Sequence, residues 1–190
     1  MGAASSTKKS KPGSVRIIGG TWRRRRITVP EVAGLRPTPD RVRETLFNWL
    51  EPILPGAHCL DLYAGSGVLG FEALSRGAEK AVLVERDSGV AAALSRVHQE
   101  LKADAQIVCA DVDHFLAGSD IGQFDIVFVD PPYSEAVSPV LEALLARLRP
   151  GACIYLERER GDPWPELARL EWSRRATAGG ITYGLAEVGA

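Results

Sequence analysis

Residues 58–76 read HCLDLYAGSGVLGFEALSR, and this stretch decides the fold. Its apolar run at 58–63 predicts a buried strand, the glycines that follow predict a tight turn, and 68–76 predicts a helix. The same alternation continues downstream, with strands predicted at 80–85, 106–110, 124–130 and 152–157 and helices at 87–102, 112–117 and 137–148. Because strand–helix alternation builds parallel sheets, the chain is predicted to be a doubly wound α/β protein.

The two ends of the chain depart from this alternation. Residues 167–175 and 181–188 predict two strands joined by Ala178-Gly179-Gly180, an antiparallel hairpin at the edge of the sheet. Residues 1–14 predict a disordered basic tail, and 15–52 an extension with a small hairpin (15–18 and 27–29) and an amphipathic helix (40–50). The main domain is then expected to span residues 53–190.

The glycine loop predicts a nucleotide-like ligand. Gly65-Ser66-Gly67-Val68-Leu69-Gly70 matches the pattern G-x-G-x-x-G between a strand and a helix. Glu85 follows at the end of the next predicted strand, where an acid can bind ribose hydroxyls. By pattern alone, a nicotinamide-dependent oxidoreductase therefore stays open as an alternative.

The charge expected around this loop favours a different cofactor. Asp61, Glu85, Asp111 and Asp130 lie in or directly after four predicted strands, whose ends meet at one crevice. Such a crevice would repel the pyrophosphate of a dinucleotide, whereas S-adenosylmethionine has no phosphate and carries a sulfonium and an ammonium. We expect Asp61 near its amino-acid moiety, Glu85 on its ribose and Asp111 towards its adenine amine. The candidate cofactor residues are Asp61, Tyr63, Ala64, Gly65, Ser66, Gly67, Glu85, Arg86, Asp111, Val112 and Asp130.

Asp130-Pro131-Pro132-Tyr133 closes the fourth predicted strand and is the candidate catalytic motif. Prolines donate no hydrogen bond and hold the backbone extended, so their carbonyls stay available as acceptors. The Asp130 carboxylate and the Pro131 carbonyl would accept the two N–H groups of an aromatic amine and aim its lone pair at the methyl group. Tyr133 offers a face on which a flipped-out base can stack.

Charge is distributed unevenly along the chain. Residues 1–50 hold eleven Lys or Arg and three acids, a net charge of +8, whereas the remaining residues carry −9. A basic segment whose arginines alternate with Ile, Trp and Val indicates a polyanion-binding arm.

Other classes of protein are disfavoured by composition. No apolar stretch approaches the length of a membrane span, and no spacing of His or Cys predicts a metal site. Cys59, Cys109 and Cys153 each lie in an apolar run, which predicts buried, reduced thiols and a cytoplasmic protein. None is placed as the nucleophile that carbon-directed pyrimidine methylation requires. A monomer is the expected oligomeric state.

Together with Asp61–Gly67 and the Asp130 motif, two N-terminal runs carry a specific resemblance. Arg16-Ile17-Ile18-Gly19-Gly20 with Trp22-Arg23, and residues 35–48 (LRPTPDRVRETLFN), resemble the bacterial 16S ribosomal RNA guanine-N2 methyltransferase family over about residues 15–188. One departure is visible, because four arginines follow Trp22 where a glycine is expected among them.

The resemblance implies a seven-stranded Rossmann-like class I methyltransferase that acts on 16S rRNA within the small subunit or its assembly intermediate. The candidate RNA-binding residues are Arg16, Trp22, Arg23, Arg24, Arg25, Arg26, Arg36, Arg41 and Arg43. Within methyltransferases, adenine N6 and protein amides stay open as target amines, although Asn is more frequent than Asp at position 130 in those enzymes.

Overall fold

The computed structural model describes residues 13–29, 38–132 and 135–190 of the chain. The strands are β1 (Gly13–Arg16), β2 (Arg26–Val29), β3 (His58–Asp61), β4 (Lys80–Glu85), β5 (Ala105–Cys109), β6 (Ile126–Val129), β7 (Cys153–Glu159), β8 (Leu170–Ala178) and β9 (Ile181–Val188). The helices are α1 (Asp40–Leu50), α2 (Val68–Ser75), α3 (Ser88–Leu101), α4 (Val112–Gly118) and α5 (Ser138–Leu145).

Seven strands form one sheet in the order β5-β4-β3-β6-β7-β9-β8, and β1 pairs with β2 in a separate hairpin. The first five strands of this order run parallel, whereas β9 is antiparallel to both of its neighbours. The strand order reverses between β3 and β6. Ligands of open α/β sheets bind at such a switch point, beyond the carboxyl ends of the strands.

Two apolar layers cover the sheet because successive side chains of each strand point to opposite faces. On one face, Cys59, Phe128 and Tyr155 pack with buried residues of the hairpin and of α1, α2 and α3. On the other face, Leu60, Val127 and neighbouring residues pack with α4 and α5. The hairpin and α1 therefore share a core with the main domain, across the boundary expected near residue 53.

The β1–β2 hairpin is docked on the end of α2 by its two glycines. Gly20 has φ +71°, and a Cβ atom there would lie 1.7 Å from the Ser75 carbonyl oxygen. The backbone N–H of Thr21 donates to that same oxygen at 2.7 Å. A side chain at position 20 would thus break this contact, since real Cβ atoms do not come so close to another backbone.

The predicted α/β fold with its antiparallel C-terminal hairpin is confirmed. Several details differ from the sequence prediction, among them some element boundaries. β1 begins at Gly13, inside the segment expected to be a disordered tail, and β8 runs from Leu170 to Ala178 rather than 167–175. Cys109 is exposed rather than buried, because it ends β5, the edge strand of the sheet. Among the described residues, no helix is long and apolar enough to cross a membrane.

Candidate active site

The glycine loop adopts backbone angles that L-side chains rarely take. Gly65 has φ +49° and Gly67 has φ +71°. A Cβ atom at Gly67 would lie 2.6 Å from the Leu94 side chain and 2.8 Å from the Phe71 ring. Position 67 therefore requires glycine, because the backbone there packs directly against Leu94 of α3 and Phe71 of α2.

Glu85 holds this loop in place from the end of β4. Its carboxylate accepts a hydrogen bond from the Gly65 N–H at 2.9 Å and another from the Asp87 N–H at 2.8 Å. The side chain is half-buried and lies beside the switch point. An acceptor in this position can bind a ribose diol, as the sequence predicts.

Asp61 lies beneath the loop and is almost sealed from solvent, with 2% of its surface exposed. Its carboxylate accepts a hydrogen bond from the Gly70 N–H at 3.1 Å, which fixes the first turn of α2. Burial, followed by the nearby carboxylates of Asp130 and Glu85, raises the pKa of Asp61 to about 7. The crevice thus gathers negative charge without a matching cation among the described residues.

Asp130 directly follows β6, across the switch point from the glycine loop. Its carboxylate accepts a hydrogen bond from the Thr38 hydroxyl at 3.3 Å, and burial raises its pKa to about 6. Pro131 is buried and Pro132 is exposed, and the Pro132 carbonyl accepts a hydrogen bond from the Glu135 N–H at 2.9 Å. Tyr133 lies outside the described residues.

The remaining predicted cofactor residues surround the same strand ends. Asp111 is exposed and caps α4 through the Asp113 N–H at 3.0 Å, while Val112 is buried beneath it. Arg86 is exposed and its guanidinium pairs with Glu135 at 2.8 Å.

Burial raises the pKa of the Tyr63 hydroxyl, and the Ser66 hydroxyl accepts a hydrogen bond from the Val68 N–H at 3.3 Å. Ala64 and Ser66 are buried within the loop.

Most of the described RNA-binding candidates are exposed. Arg23, Arg24, Arg25 and Arg26 occupy the tip and return strand of the hairpin, and all four are open to solvent. Arg16 and Arg41 are also exposed, although Arg16 pairs with Asp40 at 2.8 Å. Trp22 is half-buried and packs on the core, which limits its surface for stacking. Arg36 lies outside the described residues.

The prediction that Arg43 binds RNA is wrong. Its side chain has no exposed surface and pairs with the fully buried Glu72 at 3.3 Å and with Asp40 at 2.5 Å. It also donates to the backbone carbonyls of Arg16 at 2.9 Å and Thr38 at 3.1 Å. Such a guanidinium is a structural cross-link, and no phosphate can reach it.

Sequence reasoning missed three residues of the site and its support. Thr38 lies within the run that carries the family resemblance, and its hydroxyl donates a hydrogen bond to the Asp130 carboxylate. Glu72 accepts the backbone N–H groups of Ile18 and Gly19 at 2.8 and 2.7 Å, although in sequence it resembles any helical acid. Glu157 is buried within β7, two residues before its end. An acid inside an otherwise apolar run (ACIYLE) is the one signal that could have found it.

No group of three or more His, Cys, Asp or Glu side chains that could hold a metal ion occurs among the residues the structure describes.

The chain is similar to known proteins over nearly its whole length. The family described as "Conserved hypothetical protein 95" matches residues 15–187. The Escherichia coli protein named "Ribosomal RNA small subunit methyltransferase D" is 45% identical over 182 residues, which cover 93% of this chain and 91% of that protein. The solved structure of yhhF from Escherichia coli has a TM-score of 0.83 at 43% identity and covers 94% of this chain and 99% of its own.

A more distant structure extends the fold comparison. An RNA methyltransferase from Salinibacter ruber, solved in complex with S-adenosyl-L-homocysteine, has a TM-score of 0.61 at 18% identity and covers 81% of this chain and 94% of its own. At this identity the likeness shows the class I methyltransferase fold alone. With the family match over nearly the whole chain, the resemblance drawn from the sequence is confirmed. This chain belongs to the Conserved hypothetical protein 95 family, which it shares with the ribosomal RNA small subunit methyltransferase D proteins.

Proposed function

We propose that the chain transfers a methyl group from S-adenosylmethionine to the exocyclic N2 amine of a guanine in 16S rRNA of the small ribosomal subunit. The observation that carries the proposal is the position of Asp130, which lies across the switch point from the glycine loop with Thr38 bound to its carboxylate. A cofactor on the loop and an amine at Asp130 would meet at the carboxyl ends of β3 and β6.

The residues of the crevice suit S-adenosylmethionine better than a nicotinamide dinucleotide. Burial raises the pKa of Asp61 and of Asp130, which means that negative charge is held there at a cost. A sulfonium and an ammonium would lower that cost, whereas a pyrophosphate would increase it. When bound, the cofactor supplies an electrophilic methyl group.

The protein's part in the reaction is to orient the amine and to exclude water. The Asp130 carboxylate would accept one N–H of the amine, and the Pro131 carbonyl is the second candidate acceptor. The Thr38 hydroxyl, donating to Asp130 at 3.3 Å, restricts the rotation of that carboxylate. With its pKa raised to about 6, Asp130 is also a better proton acceptor after transfer than an ordinary aspartate.

The hairpin supports the choice of an RNA substrate. Four exposed arginines, Arg23 to Arg26, present positive charge on a chain of net charge −1. The hairpin is fixed to α2 by Glu72, Ser75 and the glycine turn, so this charge has a set position relative to the glycine loop. A basic surface held rigidly on α2, the helix that begins at the glycine loop, would help to set which nucleotide reaches Asp130.

Transfer from radiolabelled S-adenosylmethionine tests the proposal, with unmodified small subunits, free 16S rRNA and large subunits as parallel substrates. We expect label in the small subunits and much less in the other two. Calorimetric titration of the same protein with S-adenosylhomocysteine and with NAD tests the cofactor. Binding of NAD but not of S-adenosylhomocysteine, with no transfer to any RNA, would support an oxidoreductase instead.

A further inference from the structure

Glu157 is a buried acid that none of the roles above uses. Val129 of β6 pairs in register with Leu156 of β7, so Asp130 and Glu157 occupy the next position along these two parallel strands. Neighbouring strands lie about 4.8 Å apart, and residues paired in register point to the same face. Both side chains therefore lie on the face that carries Phe128 and Tyr155.

One oxygen of the Glu157 carboxyl accepts no hydrogen bond from the described residues. It is 5% exposed, and the Tyr155 hydroxyl donates to its Oε2 atom at 3.0 Å. Within the described ranges this is the one recorded hydrogen bond to the side chain, and Oε1 receives none. Tyr183 lies opposite Glu157 in the β7–β9 ladder, and its ring stacks on Trp49 of α1 at 5.5 Å. The aromatic surroundings hold the carboxyl in place and leave one oxygen for a ligand.

A guanine and an adenine differ at the atom next to the target amine. Guanine presents the N1–H donor beside its N2 amine, whereas adenine presents a bare N1 acceptor beside its N6 amine. A carboxylate only accepts hydrogen bonds, so it would bind the first edge and repel the second. Enzymes that flip a base out of its stack read this Watson–Crick edge by hydrogen bonds.

We propose that Glu157 is a specificity-determining residue, whose free carboxyl oxygen accepts the N1–H of the target guanine while Asp130 accepts its N2 amine. This proposal rests on the guanine-N2 activity proposed above. Burial, and then the adjacent Asp130, raises the pKa of Glu157 to about 8, so the ionised, accepting form of this carboxyl needs a further hydrogen-bond donor to stabilise its charge. The N1–H of the guanine would be that donor.

The test compares two bases in the same small subunit, the natural guanine and 2-aminopurine, which keeps the 2-amine but lacks N1–H. Glu157→Gln keeps the size of the side chain and an oxygen for the Tyr155 hydroxyl, and it places an N–H donor near N1. We expect at least a 100-fold lower kcat/KM on guanine, with S-adenosylhomocysteine affinity unchanged. On 2-aminopurine the variant should equal or exceed the wild type, because the glutamine N–H can donate to N1. Glu159→Gln, at the exposed end of the same strand, is the matched control and should keep the wild-type preference for guanine over 2-aminopurine.

Each outcome has one meaning. The role of Glu157 is supported if the wild type places label in N2-methylguanosine and Glu157→Gln inverts the preference between guanine and 2-aminopurine. If the wild type gives the same label but Glu157→Gln is fully active on guanine, or loses activity equally on both bases, the role of Glu157 is overturned. The proposed function then stays intact. Wild-type label on a base other than guanine overturns the proposed function and this inference together.

Discussion

Arg43 and Glu72 form an ion pair at 3.3 Å in which neither side chain has any exposed surface. Glu72 also accepts the backbone N–H groups of Ile18 and Gly19, and Arg76 donates to it at 2.8 Å. The pair therefore joins the hairpin, α1 and α2, and α2 begins at the glycine loop. A basic arm that could be expected to move freely is instead held against the catalytic core.

Arg43→Met should destabilise the fold by about 3 kcal/mol, since it leaves the buried Glu72 with only the partly exposed Arg76 as counterion and removes the donor to two backbone carbonyls. Urea unfolding followed by circular dichroism measures this loss. Arg41→Met, on the same helix but exposed, should change stability by less than about 0.5 kcal/mol. If Arg43→Met kept full stability and lost only RNA affinity, its assignment as a structural residue would be wrong.

Arg24 adopts φ +71°, a left-handed conformation that favours glycine, and it lies within the run of four arginines among which the family resemblance leads one to expect a glycine. Arg24→Gly should therefore stabilise the protein by roughly 1 kcal/mol through relief of this strain. The same denaturation measurement applies, with Arg25→Gly as its control. Among the described residues, only Arg24 and Lys102 have positive φ outside glycine, so Arg25→Gly should destabilise slightly. Equal effects of the two substitutions would contradict the strain argument.

Removing the charge of the hairpin should weaken small-subunit binding without affecting the cofactor. In a variant with alanine at positions 23, 25 and 26 and glycine at 24, the affinity for the small subunit should fall. The dependence of that affinity on salt concentration should also become weaker. Each lost phosphate contact lowers the slope of log K against log salt by about 0.7 to 0.9. Filter binding at several salt concentrations measures the slope, and calorimetry with S-adenosylhomocysteine serves as the control.

A matched variant makes this test specific. Arg174 and Arg175 are exposed on β8, the edge strand at the far end of the sheet from β5. Their double replacement by alanine lowers the net charge of the protein without touching the hairpin. An equal loss of slope in this control would indicate general attraction rather than a defined RNA surface.

The buried carboxyls predict an unusual dependence of stability on pH. The folded-state pKa values are about 7 for Asp61, 6 for Asp130 and 8 for Glu157, whereas the same groups in an unfolded chain titrate near 4. Between about pH 5 and 8 the folded state thus binds more protons than the unfolded state, and its stability falls as pH rises.

Asp61→Asn should make this pH dependence shallower and raise the free energy of unfolding at pH 8 by roughly 2 to 4 kcal/mol, given about 1.4 kcal/mol per pKa unit. The asparagine oxygen can still accept the Gly70 N–H, so the cap of α2 is kept. Asp104→Asn, at an exposed position, removes one carboxylate as well and should leave the dependence of the free energy of unfolding on pH unchanged. A free energy of unfolding that rises from pH 5 to 8 would contradict the burial of charge at the site.

The sheet and the switch point could be predicted because they depend on local pattern. Apolar runs that alternate with segments of helical spacing predicted all five parallel strands. The glycines that follow residue 63 and the motif that begins at Asp130 marked the strand ends where the candidate site lies. The C-terminal hairpin followed from Gly179 and Gly180 between two runs rich in β-formers. These signals lie within a few residues of the feature they predict.

The support of the site could not be predicted in the same way. Arg43 and Glu72 are 29 residues apart, and nothing near either one shows that the other will neutralise it. Thr38 and Asp130 are 92 residues apart. Glu157 becomes recognisable only when the register of β6 and β7 places it beside Asp130. Contacts of this kind arise from tertiary packing, which propensity and periodicity do not encode.

The most direct test of the central claim is the identity of the methylated nucleoside. Small subunits that lack the modification are incubated with labelled S-adenosylmethionine, digested to nucleosides and separated. We expect the label in N2-methylguanosine, reduced by roughly 100-fold or more in Asp130→Asn with S-adenosylhomocysteine affinity kept. Label in N6-methyladenosine or in ribosomal protein would contradict the proposed guanine-N2 activity. Undiminished label in Asp130→Asn would contradict the role proposed for Asp130.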